Sequence, residues 1–123
     1  CAPIYELQKA GVNISVGGDN VQDPWFPCGN FDPLSLMGVS MLLTHLAPWD
    51  RLGLAPFTNA PATLMGIQDE GLLEIGNSAD FMLLDATSWT EALSSYCPRK
   101  IFIEGEFIDK DNILIANIFK ESV

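Results

Sequence analysis

The stretch Val12-Asn13-Ile14-Ser15-Val16-Gly17-Gly18-Asp19-Asn20, continued by Val21-Gln22-Asp23-Pro24-Trp25-Phe26-Pro27, decides how the chain is read. Val12, Ile14 and Val16 alternate with Asn13 and Ser15 at the two-residue period of a β-strand, and the Gly17-Gly18 pair lets the backbone leave that strand without steric penalty. Asp19 is thereby placed at a strand end, in a loop shaped by glycine and proline, where α/β enzymes carry their chemistry. Spacing leaves two readings open. Gly, Asp and Asn build ordinary turns, and the same residues can present a catalytic carboxylate.

On the N-terminal side, Cys1-Ala2-Pro3-Ile4-Tyr5-Glu6-Leu7-Gln8-Lys9-Ala10 reads as the last turns of a helix closed by Gly11. A start inside an element, at Cys rather than Met, predicts a missing N-terminal portion, with an expression scar or a processed product as equal alternatives. On the C-terminal side, Asp32-Pro33 supplies an N-cap acceptor and a proline at the first helical position, and the pattern predicts a helix to about Leu46, ahead of Pro48. That helix is apolar on nearly every face and needs cover on more than one side. Residues 48–57 read as a loop, and Thr58-Asn59-Ala60-Pro61 as the cap of a short helix ending near Gly66.

From Gly71 the texture changes. Phe81-Met82-Leu83-Leu84-Asp85 predicts a short apolar strand and Ser88 to Ser95 a helical turn. Lys100-Ile101-Phe102-Ile103, the turn Glu104-Gly105-Glu106 and Phe107-Ile108 predict a hairpin. Asn112 to Phe119 is a further apolar stretch whose type the pattern leaves open. No internal repeat or low-complexity segment is present.

A chain of 123 residues accommodates one domain or part of a larger one, and its 48% hydrophobic content and mean hydropathy of +0.20 are on the apolar side. A net charge of −10, with only six Lys and Arg, argues against nucleic acid and against an anionic membrane as partners. Five of the carboxylates fall in residues 1–60 and eleven in 61–123, so the half bearing the glycine loop is the less negative one. Cys1, Cys28 and Cys97 are odd in number and share no Cys-x-x-Cys spacing, which suits a reduced, cytoplasmic compartment. The longest apolar run, Leu34 to Leu46, is too short and too interrupted by polar residues to span a bilayer. His45 is the sole histidine, so a zinc site of the usual three-ligand, histidine-based kind cannot be assembled within the chain.

Gly71-x-x-x-x-Gly76-Asn77-Ser78-Ala79-Asp80, followed by four apolar residues and then a strand, a Glu-Gly turn and another strand, resembles the C-terminal end of the metal-dependent amidohydrolase superfamily. Within it, Gly18-Asp19-Asn20-Val21-Gln22-Asp23-Pro24-Trp25-Phe26-Pro27-Cys28-Gly29 is similar to the segment after the eighth barrel strand of cytosine deaminases and their triazine-hydrolase relatives. The resemblance implies an α/β fold. Residues 1–66 would be the end of a (β/α)8 barrel, its last strand and helices, and residues 67–123 the C-terminal strands of the accessory β-sandwich. A complete barrel needs at least about 200 residues.

The resemblance also implies roles. Asp19 corresponds to a carboxylate that is both metal ligand and catalytic proton shuttle, in a family that uses a divalent ion such as zinc or iron to acidify water. The family's histidine ligands have no counterpart here, so the chain alone is expected to hold no metal. Trp25 resembles a residue that walls the substrate pocket. Asn20 stands where cytosine deaminases carry a second Asp, as in some triazine hydrolases, and a side chain that donates as well as accepts would change the preferred substrate. Asp23 is expected to cap the loop through backbone N–H groups, and His45 matches no family ligand and is expected to be satisfied or solvent-facing.

The expected function is therefore the C-terminal part of an enzyme that hydrolytically deaminates a small heterocycle, inactive as an isolated chain and completed by a missing N-terminal portion. Two alternatives stand beside it: a non-catalytic remnant that folds by pairing with a second copy, and a small-molecule binding module that keeps the Trp25 pocket.

Overall fold

Asp32 starts the longest helix among the described residues by accepting the Leu34 N–H on its side chain, and Pro33 occupies the first turn, where its missing N–H costs nothing. The computed structural model describes residues 2–67 and 71–108. In it this helix is α2 (Pro33–Thr44), preceded by α1 (Ile4–Lys9). It is followed by a 3-10 turn (Ala55–Phe57), α3 (Asn59–Leu64), β1 (Phe81–Leu84), α4 (Trp89–Ser94), β2 (Arg99–Ile103) and β3 (Glu106–Ile108). His45 closes α2 in the left-handed region at φ 60°, donating its N–H to the Met41 carbonyl, and is exposed. The apolar stretch 112–119 lies outside the described residues.

The three strands form one antiparallel sheet in the order β1-β2-β3, with Phe81 opposite Phe102 and Phe102 opposite Phe107. Side chains alternate between faces, so this register stacks Phe81 on Phe102 at 4.7 Å and tilts Phe107 against Phe102 at 5.7 Å on one face. Met82 and Leu84 point the other way, into the core. The hairpin turn holds Glu104 at φ 51° and Gly105 at φ 79°, the double positive φ of a type I′ turn. It is fastened from outside: Asp80 accepts the Glu104 N–H at 2.6 Å and the Ala79 carbonyl accepts that of Gly105. The Ala79-Asp80 pair that ends the glycine-flanked motif thus has a mechanical role in setting the turn.

The core is small. Leu34 and Met37 of α2 pack with Ala92 of α4 and with Cys97, and Phe57, Met82, Leu84, Trp89 and Leu93 close around them. Residues on either side of position 67 therefore share one core. α4 is capped by Ser88, whose hydroxyl accepts the Glu91 N–H, while the Glu91 carboxylate takes the N–H and hydroxyl of Thr87.

Two expectations change. Residues 12–16 make no strand, and the expected alternation holds only in part, with Ile14 buried and Val16 half-buried but Val12 exposed. A strand needs a neighbouring ladder, and residues 12–16 pair with none of the three strands found among the described residues; Val16 instead donates its N–H to the Pro56 carbonyl at 2.9 Å. Thr58 precedes α3 as expected, yet its hydroxyl donates back to the Leu54 carbonyl instead of capping the helix. No helix among the described residues is long and apolar enough to cross a membrane.

Candidate active site

The loop after residues 12–18 is built by its own polar side chains. One oxygen of Asp23 accepts the N–H groups of Trp25 and Phe26, both at 2.9 Å, and the other accepts from the Asn20 amide. The Asn20 hydrogen bond first, and then that of Phe26, holds the Asp23 carboxyl below its ordinary pKa. Asp23 is the loop's cap, as the sequence suggests. Gln22 ties the strands of the loop together, its N–H to the Cys28 carbonyl at 3.0 Å and its side-chain amide to the Gly29 carbonyl at 3.2 Å. The Phe26 ring lies over Gly29, where even a methyl group would stand 3.1 Å from it.

This construction places Asp19, exposed and at φ 50°, and Asn20 on the lining of one open cavity of about 660 Å³. Val21, Phe26, Phe31 and Val39 supply its apolar wall. The structure therefore brings two of the three expected site residues together. Trp25 is not among the lining residues and is 87% exposed. The Asp23 cap holds the backbone at Trp25 and Phe26, and Phe26, the next residue, lies over Gly29 and lines the cavity. Asn20 is half committed: one amide hydrogen serves Asp23, which leaves its carbonyl oxygen and its second amide hydrogen as the groups available to a ligand.

Among the described residues no group of three or more His, Cys, Asp and Glu could hold a metal ion. Asp23 is spent on capping, and His45 sits at the opposite end of α2 from Asp32, about 18 Å along a helix of that length. These residues do not by themselves fit the ion that a metal-dependent hydrolase requires.

At the foot of the loop, Asp32 makes a bidentate pair with Arg99 of β2, Nη1 on one oxygen and Nη2 on the other at 2.9 Å. Asn30 flanks it, accepting the Asp32 N–H and donating to the Ser35 hydroxyl. Sequence reading found Asp32 only as a helix cap; nothing local signals a partner 67 positions away.

The sequence pattern of the amidohydrolase family matches residues 1–98. The chain belongs to the amidohydrolase family. It is 33% identical over 109 residues to the pterin deaminase of Rhizobium rhizogenes, covering 87% of this chain and 25% of that protein. It is 30% identical over 117 residues to the N-isopropylammelide isopropyl amidohydrolase of a Pseudomonas species, covering 93% of this chain and 29% of that one. The crystal structure of 5-methylcytosine deaminase from Klebsiella pneumoniae liganded with 5-fluorocytosine superposes with a TM-score of 0.71 at 28% identity, over 90% of this chain and 28% of that structure. This amidohydrolase chain thus spans about a quarter to three tenths of the length of the relatives it matches. The mixed α/β arrangement corresponds to part of an amidohydrolase structure, and the resemblance carried by Gly18–Gly29 and Gly71–Asp80 is borne out.

Proposed function

We propose that the chain supplies the final site loop of an amidohydrolase that hydrolytically removes an amino group from a small, flat heterocycle. The observation that carries this reading is the cavity that Asp19 and Asn20 share with the Phe26 ring. A carboxylate at such a cavity can take the proton of an attacking water and return it to departing ammonia. The Asn20 carbonyl can accept from a ring or amino N–H, and Phe26 offers an apolar face to an aromatic ring. Pterin and 5-methylcytosine, named in two of the relatives, are rings of this kind.

In the complete protein, residues 1–66 are read as the last βα unit of the barrel and residues 67–123 as strands of the accessory sandwich. The zinc or iron ion that the family's chemistry implies would acidify water. Asp19 is the donor this chain would offer it, and further donors would have to come from beyond the described residues. Free Cys28 and Cys97 accord with a cytoplasmic location.

The test is an assay of the complete protein carrying this segment for ammonia release from cytosine and pterin. Asp19→Asn is expected to lower kcat by about 10²-fold or more with the melting temperature unchanged. Turnover that survives the substitution removes Asp19 from the reaction.

A further inference from the structure

We propose that Arg99 is a positioning residue for the Asp19 loop, fixing through Asp32 the far end of the segment whose near end carries the carboxylate. The inference rests on reading Asp19 as the reacting group. Asp32, Asn30 and Ser35 line both the cavity at Asp19 and a smaller neighbouring one of about 370 Å³, whereas Arg99 lines only the smaller. Arg99 therefore stands behind the wall of the site and acts on it without touching its contents.

Two sets of hydrogen bonds, joined by the backbone at Gly29-Asn30, lead from that wall into the loop. Arg99 grips both oxygens of Asp32; Asn30 takes the Asp32 N–H and ties to Ser35; Gly29 and Cys28 are held by Gln22, three residues beyond Asp19. The Asp32 and Arg99 side chains keep only 22% and 18% of their surface, so the pair is screened far less than a surface ion pair. Two parallel N–H···O bonds fix orientation as well as distance, which a lysine cannot reproduce. Placement matters at a reacting carboxylate, where a shift of about 1 Å costs on the order of 100-fold in rate.

The experiment uses the complete protein carrying this segment, with amide hydrogen exchange and cytosine and pterin deamination as readouts. Arg99→Gln is expected to speed exchange across residues 20–31 while the β2–β3 amides keep their wild-type rates. It should lower kcat about tenfold or more with KM changed less than about twofold. Arg99→Lys should recover part of kcat. Asn30→Ala leaves the ion pair intact and breaks the next link, so it should reproduce the faster loop exchange and supplies the readout if Arg99→Gln does not fold. Exchange in residues 20–31 that is unchanged in both variants, or a loss of kcat matched entirely by a smaller folded fraction, overturns the positioning role. A wild-type protein that turns over neither heterocycle overturns the functional reading alone, because exchange still reports on the loop.

Discussion

Gly71 lies at φ +76° with its Cα against the start of α3, so that an added Cβ would come within 2.6 Å of the Thr58 carbonyl carbon and 2.7 Å of the Asn59 nitrogen. Both neighbours are backbone and cannot swing aside. Gly71→Ala therefore combines left-handed strain with a main-chain clash and is expected to cost roughly 3 kcal/mol. Gly76 has φ +98° but open space around it. Gly76→Ala carries strain alone, about 1 kcal/mol. Denaturant midpoints of the two variants should rank in that order, and equal losses would show that the contact with Thr58 is not what fixes Gly71. In the sequence the two glycines are equivalent members of one motif; what separates them is the approach of a segment more than ten residues earlier, which no local pattern encodes. Trp25 and Phe26 teach the same point: adjacent aromatic rings look alike in the sequence, and of the two it is Phe26 that lines the cavity beside Asp19.

At the scale of elements, Asp32 carries two duties that can be taken apart. Asn caps a helix about as well as Asp, so Asp32→Asn should remove the Arg99 pair and cost about 1 kcal/mol, while Asp32→Ala also loses the cap and should cost about 2 kcal/mol. The Arg99 hydrogen bond, as the leading cause, holds the Asp32 carboxyl below its ordinary value of 3.8. A group whose pKa is depressed on folding stabilises the fold above its unfolded pKa, and that contribution fades as pH falls through the folded value. The stability gap between wild type and Asp32→Asn is thus expected to be full above about pH 5 and to shrink on further acidification. Melting curves from neutral to strongly acidic pH check this, and a gap that grows in acid contradicts the sign. The cap itself was legible, because Asp32-Pro33 carries its own instructions, and so were α4 and the β2–β3 hairpin with its Glu-Gly turn. Residues 12–16 carry strand alternation just as clearly and form no strand, since alternation specifies a buried face but not the partner whose hydrogen bonds complete it.

Over the whole molecule, apolar surface outweighs the core that could absorb it. α2 buries Leu34 and Met37 yet leaves Val39, Leu42 and Leu43 at 53%, 77% and 54% exposure, and Phe31, Leu64, Met65 and Leu73 are also open. Burying such side chains is worth about 1.5–3 kcal/mol each, so the three on α2 alone represent an amount comparable to the lower end of a domain's total stability. Relatives three to four times longer contain ample chain to cover this face, and the covering partner we favour is the remainder of a longer protein. On that account the isolated chain should bind a hydrophobic dye and sediment above its monomer mass, and Leu42→Glu should lessen both. In the complete protein the same substitution would force a charge into a packed interface and lower stability by about 3 kcal/mol or more. A truly solvent-facing position would respond by no more than about 0.5 kcal/mol. Opposite responses of the short and complete chains to Leu42→Glu would identify the face as covered in the complete protein, whereas a neutral response in both would leave α2 a free surface and refute the covering.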